Sequence, residues 1–555
     1  MSIMTEKGRW TGFAAALVSA SLALTLTACS TTAASESSQS AGTSSEAAVA
    51  VESASSEAVD SSKASSSAST AESSASATPA KDEITVNETI ENAADGEHAI
   101  EADGSTESYA NVAVSKTGEA DGDEADFYGE NSAIFATNGA TLDLSKITVE
   151  TNGTHANAVF SYGEGTTVNI SDSVIETTGD CSGGLMTTGG GTMNANNLRI
   201  TTQGRSSAAI RSDRGGGTVN VDGGVYTTNG TGSPVVYSTA DITVNRAEMT
   251  STASQGIVVE GKNSVTLNDV ELVADNNTKN SDKSDYYQAV MIYQSMSGDA
   301  AQGEAAFTMN GGSLTNKNGD VFFINNTVAN ISLTNASIVN ESDGVFLRAA
   351  AAGWGNEGSN GGQVTLNAKS QAIDGDMVVD KVSNLNLYLK DSSTFKGAIN
   401  TDGQAGEVYV ELAGGSTWTL TADSYITSLT CDADSINLNG HTLYINGEAY
   451  KEGAASTGKA IEVVANSTAG DHGSGGTPPD MSNGEKSSHG APPSGEKPSG
   501  KPPAKPDGEK PSGEPPEKPD GSSDSGNKPA GDPPAKPGSG SGSNSNSNSN
   551  SNSKS

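Results

Sequence analysis

The chain has 555 residues and a formal net charge of −37, with 68 acidic side chains against 31 basic ones. Such an acidic chain lacks the basic surface that a phosphate backbone requires, which excludes nucleic-acid binding and leaves cations or neutral and basic partners. Aromatic residues make up only 5% of the chain and glycine occupies 65 positions, which predicts a thin core with many tight turns.

The first residues form the pattern of an exported protein. Lys7 and Arg9 precede an apolar run over residues 11–27, as in bacterial export signals. The run leads into Leu26-Thr27-Ala28-Cys29, which resembles the lipobox of bacterial lipoproteins. The resemblance implies a signal peptide over residues 1–28 and acylation of Cys29, which would anchor the protein to the outer face of the plasma membrane. The alternative is an ordinary secretory signal that is cleaved nearby.

Two segments precede the regular part of the chain. Residues 29–80 are rich in Ser and Ala and contain no aromatic residue, which predicts a disordered tether. Residues 81–131 are predicted to form an N-terminal cap, because a solenoid covers its exposed first edge with an atypical repeat. In this cap Asp121, Asp123 and Asp126 are candidates for binding Ca²⁺. Their spacing departs from that of a Ca²⁺ loop, so a solvated acidic loop is the favoured interpretation.

A repeated phrase organises residues 132–446, of which Thr218-Val-Asn-Val-Asp-Gly-Gly-Val-Tyr-Thr-Thr-Asn-Gly230 is one copy. The copies align on an apolar position that recurs every 23 to 26 residues: Leu144, Ile170, Ala195, Val221, Val244 and Leu267. The next position is small and polar in each copy, which predicts a hydrogen-bonded column. A second ladder of similar period is Phe135, Phe160, Met186, Ile210, Tyr237 and Val259. Short strands, no helical periodicity and a fixed period predict a parallel β-helix of about 12 rungs.

Insertions interrupt the later repeats at residues 275–288, 296–304 and 349–362. Insertions in a solenoid project from one corner and often build its binding face. Residues 447–466 are predicted to cap the C-terminal end of the β-helix. Residues 467–555 are rich in Pro, Gly and Lys and then in Ser and Asn, which predicts a disordered tail.

The cysteines and histidines give no strong sign of a metal site or a disulfide. In a β-helix Cys181 and Cys431 would lie roughly ten rungs, or about 45 Å, apart along the axis. A disulfide needs Cα atoms within about 7 Å, so the two are predicted not to pair. His155 and His441 have no Cys or His at ligand spacing and are predicted to be structural.

The repeat resembles the right-handed parallel β-helix superfamily, which includes pectate lyases, polygalacturonases, bacterial adhesins and phage tail proteins. More closely, the chain is similar to adhesin-like surface lipoproteins of Gram-positive bacteria. The resemblance implies an all-β solenoid flanked by disordered N- and C-terminal segments, but it does not fix a function. The Asp-Asp, Gly-His-Gly and Arg-Ile-Lys motifs of polygalacturonase-like enzymes are absent from the chain.

A stripe of aromatic and charged residues is predicted along one corner of the β-helix. Sugars bind to aromatic faces by stacking and to planar polar groups by hydrogen bonds. The alternative is a solvated corner with salt bridges between rungs, for example between Asp213 and Arg211. The candidate ligand-binding residues are Tyr162, Arg211, Asp213, Arg214, Tyr293, Arg348 and Trp354.

These patterns together predict a non-enzymatic, lipid-anchored, adhesin-like protein of the bacterial cell surface. Its partner would be a glycan, the matrix or another cell-surface protein, and neither a catalytic residue nor a cofactor is predicted, apart from Ca²⁺ at the acidic loop. The first alternative is a polysaccharide lyase or glycoside hydrolase that acts on an acidic polysaccharide. The second is a scaffold of the envelope without a soluble ligand.

Overall fold

The computed structural model of the protein describes residues 78–403 and 406–463. The predicted signal peptide, Cys29, nearly all of the tether and the whole tail over residues 467–555 lie outside the described residues. Within the part of the chain that is described, no helix has the length and the apolar character needed to cross a membrane.

The described chain forms a parallel β-helix, which confirms the predicted fold class. Most turns contribute one strand to each of three long parallel sheets, which contain 10, 11 and 13 strands. Sheet A contains Glu88–Asn92, Val112–Lys116, Thr148–Thr151, Val174–Thr177, Arg199–Thr202, Val225–Thr228, Glu248–Ser251, Glu271–Ala274, Ser313–Asn316 and Ser337–Asn340. Sheet B contains Ile100–Asp103, Ile134–Thr137, Val159–Tyr162, Leu185–Thr188, Ile210–Ser212, Val236–Ser238, Ile257–Glu260, Gln288–Tyr293, Asp320–Asn325, Leu347–Ala349 and Met377–Val379. Sheet C contains Thr106–Ala110, Thr141–Ser145, Thr167–Ser171, Gly191–Asn196, Gly217–Asp222, Asp241–Asn245, Ser264–Asn268, Glu304–Asn310, Thr327–Thr334, Gly362–Lys369, Asn384–Lys390, Glu407–Leu412 and Ser428–Cys431.

Two smaller sheets complete the C-terminal end of the β-helix. The first contains Ala372–Asp374, Thr394–Lys396, Thr417–Thr419 and Ile436–Asn437, and the second contains Ser424–Ile426, Leu443–Ile445 and Glu448–Ala449. Helical structure in the described ranges consists of a 3₁₀ turn at Lys81–Glu83 and a short α-helix at Asp123–Phe127. The core between sheets A, B and C is one continuous cluster, filled mainly by Val, Ile, Leu and Ala.

The first predicted ladder has the register that the sequence indicates. Leu144 pairs with Ile170, and Val221 pairs with Val244, and all four side chains are buried in the core. The polar column that follows is also in register. Its asparagines bond to one another, since Asn268 Nδ2 donates to Asn245 Oδ1 at 2.8 Å and Asn310 Nδ2 donates to Asn268 Oδ1 at 2.9 Å.

The second predicted ladder needs a correction. Arg211, and not Ile210, pairs with both Met186 and Tyr237, and Val258, and not Val259, continues the ladder. Strands of sheet B such as Val159–Tyr162 are buried at all four positions. The alternation of apolar and polar residues that marks the inner face of a strand is therefore lost here, and the sequence pattern mixes inner and outer positions.

The residues predicted to form an N-terminal cap, 81–131, include the first strands of all three sheets. Strands between residues 88 and 116 already pair as regular rungs of the three sheets. The many polar residues of Glu88–Asn92 and Thr106–Ala110 lie on exposed or half-exposed positions and hide this regularity in the sequence. At the C-terminal end of the β-helix, Ser456 pairs with Cys431. Cys431 is buried and its thiol is free, so it forms no disulfide with Cys181, as predicted.

The turn from sheet A to sheet B is built from a glycine column and a serine column. Ser207 Oγ accepts a hydrogen bond from the backbone N–H of Ser182 at 2.9 Å and donates to the carbonyl of Gly179 at 3.1 Å. Ser182 and Ser233 repeat this arrangement on the rungs before and after. Each serine thus satisfies backbone groups of the preceding rung that would otherwise be buried without partners.

We expect Ser207→Ala to lower the free energy of unfolding by about 1–3 kcal/mol, the cost of leaving buried polar groups unpaired. The measurement is urea denaturation followed by circular dichroism. Thr227→Ala, at a half-buried position of sheet A, should change stability by less than about 0.5 kcal/mol. Equal effects of the two substitutions would contradict the proposed role of the serine column.

Candidate functional site

The outer face of sheet B is covered by loops, in contrast to the more open faces of sheets A and C. One end of this face is apolar, where Phe135, Phe160, Tyr162 and Met186 pack together with Tyr128. Farther along the same outer ladder the residues become mixed: Arg211, Tyr237, Val258, Met291 and Phe323. The change from apolar to mixed residues marks the position of the candidate site.

A cavity of about 170 Å³ lies on this mixed part of sheet B. Its floor is formed by the sheet, and its walls come from the loops that follow Ala274, Tyr293 and Ala349, together with Phe127. The volume is slightly larger than that of a cavity that accepts benzene and below the range of drug-sized pockets. The cavity can therefore accommodate about one small ring or a comparable group. Its charged and aromatic lining residues are Phe127, Arg211, Asp213, Tyr237, Glu260, Lys279, Asp285, Tyr286, Tyr287, Tyr293, Asp299 and Trp354.

An ion pair between Arg211 and Asp213 forms one side of the cavity. Nε and Nη2 of Arg211 donate to the same oxygen, Oδ2 of Asp213, at 3.1 and 2.7 Å. Both side chains are buried. Burial raises the pKa of Asp213 to about 7, against the opposite effect of the neighbouring Arg211 charge.

Glu260 lies at the centre of a tyrosine network. The hydroxyls of Tyr237 and Tyr293 both donate to Oε2 of Glu260, the second at 2.9 Å. Glu260 is 1% exposed, and its Oε1 makes no hydrogen bond of ordinary geometry within the described residues, although Ser295 is near. Burial raises the pKa of Glu260 above its ordinary value.

Two further polar atoms in the cavity wall lack hydrogen-bond partners among the described residues. They are Nε1 of Trp354 and Oε1 of Gln288, and both side chains are less than 5% exposed. The indole of Trp354 meets the ring of Tyr293 edge to face, with centroids 5.3 Å apart. Buried polar groups are nearly always paired in folded proteins. Of the twenty unpaired buried side-chain atoms in the described residues, these three belong to residues that line the cavity.

The structure brings together only some of the predicted candidate residues. Arg211, Asp213, Tyr293 and Trp354 line the cavity. Tyr162 does not, because it belongs to the apolar cluster at the other end of the face.

The two other arginines of the prediction lie outside the cavity lining. Arg214 holds two covering loops together, since it bonds to Asp299 at 2.7 Å and to Asp123 at 2.8 Å and lies over the Phe127 ring. Arg348 pairs with Asp320 at 2.6 Å and lies over the ring of Tyr286. Both therefore hold covering loops in place.

The three acids considered for Ca²⁺ do not form one site. Asp123 pairs with Arg214, Asp126 is buried 3.0 Å from Nδ1 of His155, and Asp121 is largely exposed. His155 and Cys181 occupy the same position of the A-to-B turn on neighbouring rungs, both with positive φ. Asp126, His155 and Cys181 thereby come within 4.8 Å of one another, which the separation of 26 residues hides in the sequence. The three side chains lie close together because the A-to-B turns of successive rungs stack in register.

The sequence did not single out Tyr237, Glu260 and Gln288 as site residues. Asp213 and Glu260 are 47 residues apart, which is two rungs of the predicted period. The period could thus have placed them near each other, but no pattern distinguishes a turn covered by a loop from an open turn.

Comparison with known proteins gives little further information. No family model matches the chain, and no curated protein matches it. Among solved structures, the chain is similar to one from the cryo-EM structure of the Vag8–C1 inhibitor complex, with 15% sequence identity and a TM-score of 0.37. That match covers 65% of this chain and 100% of the other.

Proposed function

We propose that the protein is a cell-surface binding protein, anchored through acylated Cys29, which uses the cavity on sheet B to bind a carbohydrate. The observation that carries the proposal is the set of three unpaired polar atoms, from Glu260, Gln288 and Trp354, around one cavity with aromatic walls. A sugar ring offers an apolar face for stacking and hydroxyls that both donate and accept hydrogen bonds.

The size and charge of the cavity narrow the class of carbohydrate. A cavity of about 170 Å³ accepts a single terminal or branching residue and not a length of chain. Four carboxyl groups line it against two cationic side chains, which disfavours uronic acids and other acidic sugars. This argues against the acidic polysaccharide that the enzyme alternative required.

A second candidate function is glycoside hydrolysis within the same cavity. Asp213 and Glu260 are two buried carboxyls with raised pKa values, and such pairs are common in active sites. Against this, Arg211 holds Asp213 and two tyrosines hold Glu260, so both carboxyls are already engaged.

The test is binding of the mature full-length protein to a panel of immobilised glycans, with the products analysed for released sugar. We expect selective binding without release, and a loss of about tenfold or more in Trp354→Ala, which removes one stacking face and one N–H donor. Tyr388→Ala, a half-buried aromatic on sheet C, should bind as the wild type does. Release of sugar would establish the enzyme, and no binding to any glycan would overturn the proposal.

A further inference from the structure

The carboxyl groups that line the cavity differ in whether they have a positive partner. Asp213 pairs with Arg211 at 2.7 Å, and Asp299 pairs with Arg214 at 2.7 Å. Asp285 pairs with Lys279 at 3.0 Å.

Glu260 is the exception, since no ion pair involves it among the residues that the structure describes. It is also 1% exposed. A buried carboxylate without a counter-charge is costly, so the cavity lacks one positive charge when Glu260 is ionised.

The surroundings of Glu260 fit an organic cation. Tyr237 and Tyr293 donate hydrogen bonds to Oε2 and leave Oε1 for a further partner. Trp354, packed against Tyr293, lies in the same wall of the cavity. Aromatic faces attract ammonium groups, most strongly when the site is desolvated. A metal ion fits less well, because Ca²⁺ and Mg²⁺ require about six oxygen ligands, which this aromatic wall does not supply.

We propose that the cavity recognises an ammonium group, with Glu260 as its counter-ion and Tyr237, Tyr293 and Trp354 around it. The inference rests on the proposed function, because it names the chemical group that the carbohydrate ligand would carry. Two sources supply this chemistry: the free amine of a hexosamine, and a choline group attached to a surface glycan.

The experiment compares charged and neutral ligands of the same shape by titration calorimetry with the mature full-length protein near neutral pH. Choline is paired with 3,3-dimethyl-1-butanol, and glucosamine is paired with glucose. We expect the charged member of at least one pair to bind about tenfold more tightly or better. Preference within the first pair identifies choline as the source, and preference within the second identifies an amino sugar.

Glu260→Gln tests the counter-ion directly. The amide oxygen can still accept the tyrosine hydroxyls, so shape is kept while the charge is lost. We expect the preference for the charged ligand to fall to about one, whereas Glu271→Gln, an exposed glutamate of sheet A, should leave it unchanged. Equal affinities within both pairs in the wild type would overturn the inference. Binding of neutral sugars would then still uphold the proposed function.

A pH series with the wild type keeps the inference testable if Glu260→Gln does not fold. The charge of choline does not titrate, so its affinity should fall as the pH is lowered through the raised pKa of Glu260, while that of the butanol should not change. The other titratable groups facing Glu260 are Tyr237, Tyr293, Asp213 and Asp299. The tyrosines stay protonated, because burial raises their pKa well above the ordinary value. Equal pH profiles for the two ligands would contradict the role of Glu260.

Discussion

Replacement of Asp213 by leucine is expected to cost about 3–5 kcal/mol of unfolding free energy, because it leaves the Arg211 guanidinium buried without its counter-ion. Arg211 is 8% exposed, and its Nε and Nη2 atoms both donate hydrogen bonds to Asp213. Its charge persists at all working pH values. The loss should be visible as a lower urea midpoint and as faster hydrogen exchange in the strands Ile210–Ser212 and Val236–Ser238.

The double variant Arg211→Leu/Asp213→Leu is the matched control. Replacing both members of a buried ion pair by apolar residues of similar volume is often neutral or stabilising. We therefore expect the double variant to be at least about 2 kcal/mol more stable than Asp213→Leu alone. If the two are equally unstable, the damage comes from packing and not from the unpaired charge.

Arg211→Leu should behave differently from Asp213→Leu as the pH changes. The remaining Asp213 is buried, so its pKa in the folded state stays above that of the unfolded chain, which is about 3.9. The folded state then binds the proton more tightly, and stability falls as the pH rises from about 4 through the folded pKa. A pH-independent loss in Arg211→Leu would show that Asp213 is not buried as described.

The sequence was sufficient for the solenoid and for one of its two ladders. Val221 and Val244 belong to strands of sheet C that alternate buried and half-exposed positions, so their period reports the core directly. Arg211 and Tyr237 lie on sheet B, where loops bury the outer face as well. Because both faces of sheet B are covered, the sequence pattern does not show which of two consecutive residues in a strand faces the core.

The candidate site could be predicted only in part, because loops that are distant in sequence form its walls. The period places Arg211, Asp213 and Tyr293 on one corner, and the structure agrees. The folding of the insertions is set by contacts distant in sequence, such as that between Arg214 and Asp299, which are 85 residues apart. Local propensity carries no information on such contacts, so the walls of the cavity and the isolation of Glu260 could not be foreseen.

The glycine column of the A-to-B turn gives the second large effect, since we expect Gly204→Ala to destabilise the protein by about 3 kcal/mol or more. A Cβ at Gly204 would overlap the carbonyl oxygen of Gly179, well inside the 3.0 Å that real Cβ contacts respect. Gly153 and Gly230 make the same close approach to the rung before them. The obstacle is backbone within a stack of rungs, so the strain cannot be relieved by turning a side chain.

Gly163→Ala is the control for the loss of a glycine as such. Gly163 has a φ of 90°, and a Cβ there would meet nothing within 4 Å, so only the backbone strain of about 1–2 kcal/mol applies. Thermal unfolding of both variants measures the difference in stability.

The Gly204 turn leads directly to Ser206 and Ala208, which line the cavity. Gly204→Ala should therefore also weaken ligand binding, whereas Gly163→Ala should not. Equal losses of stability in the two variants would mean that the rungs can separate to admit a methyl group. Close stacking at this turn would then not fix the geometry of the site.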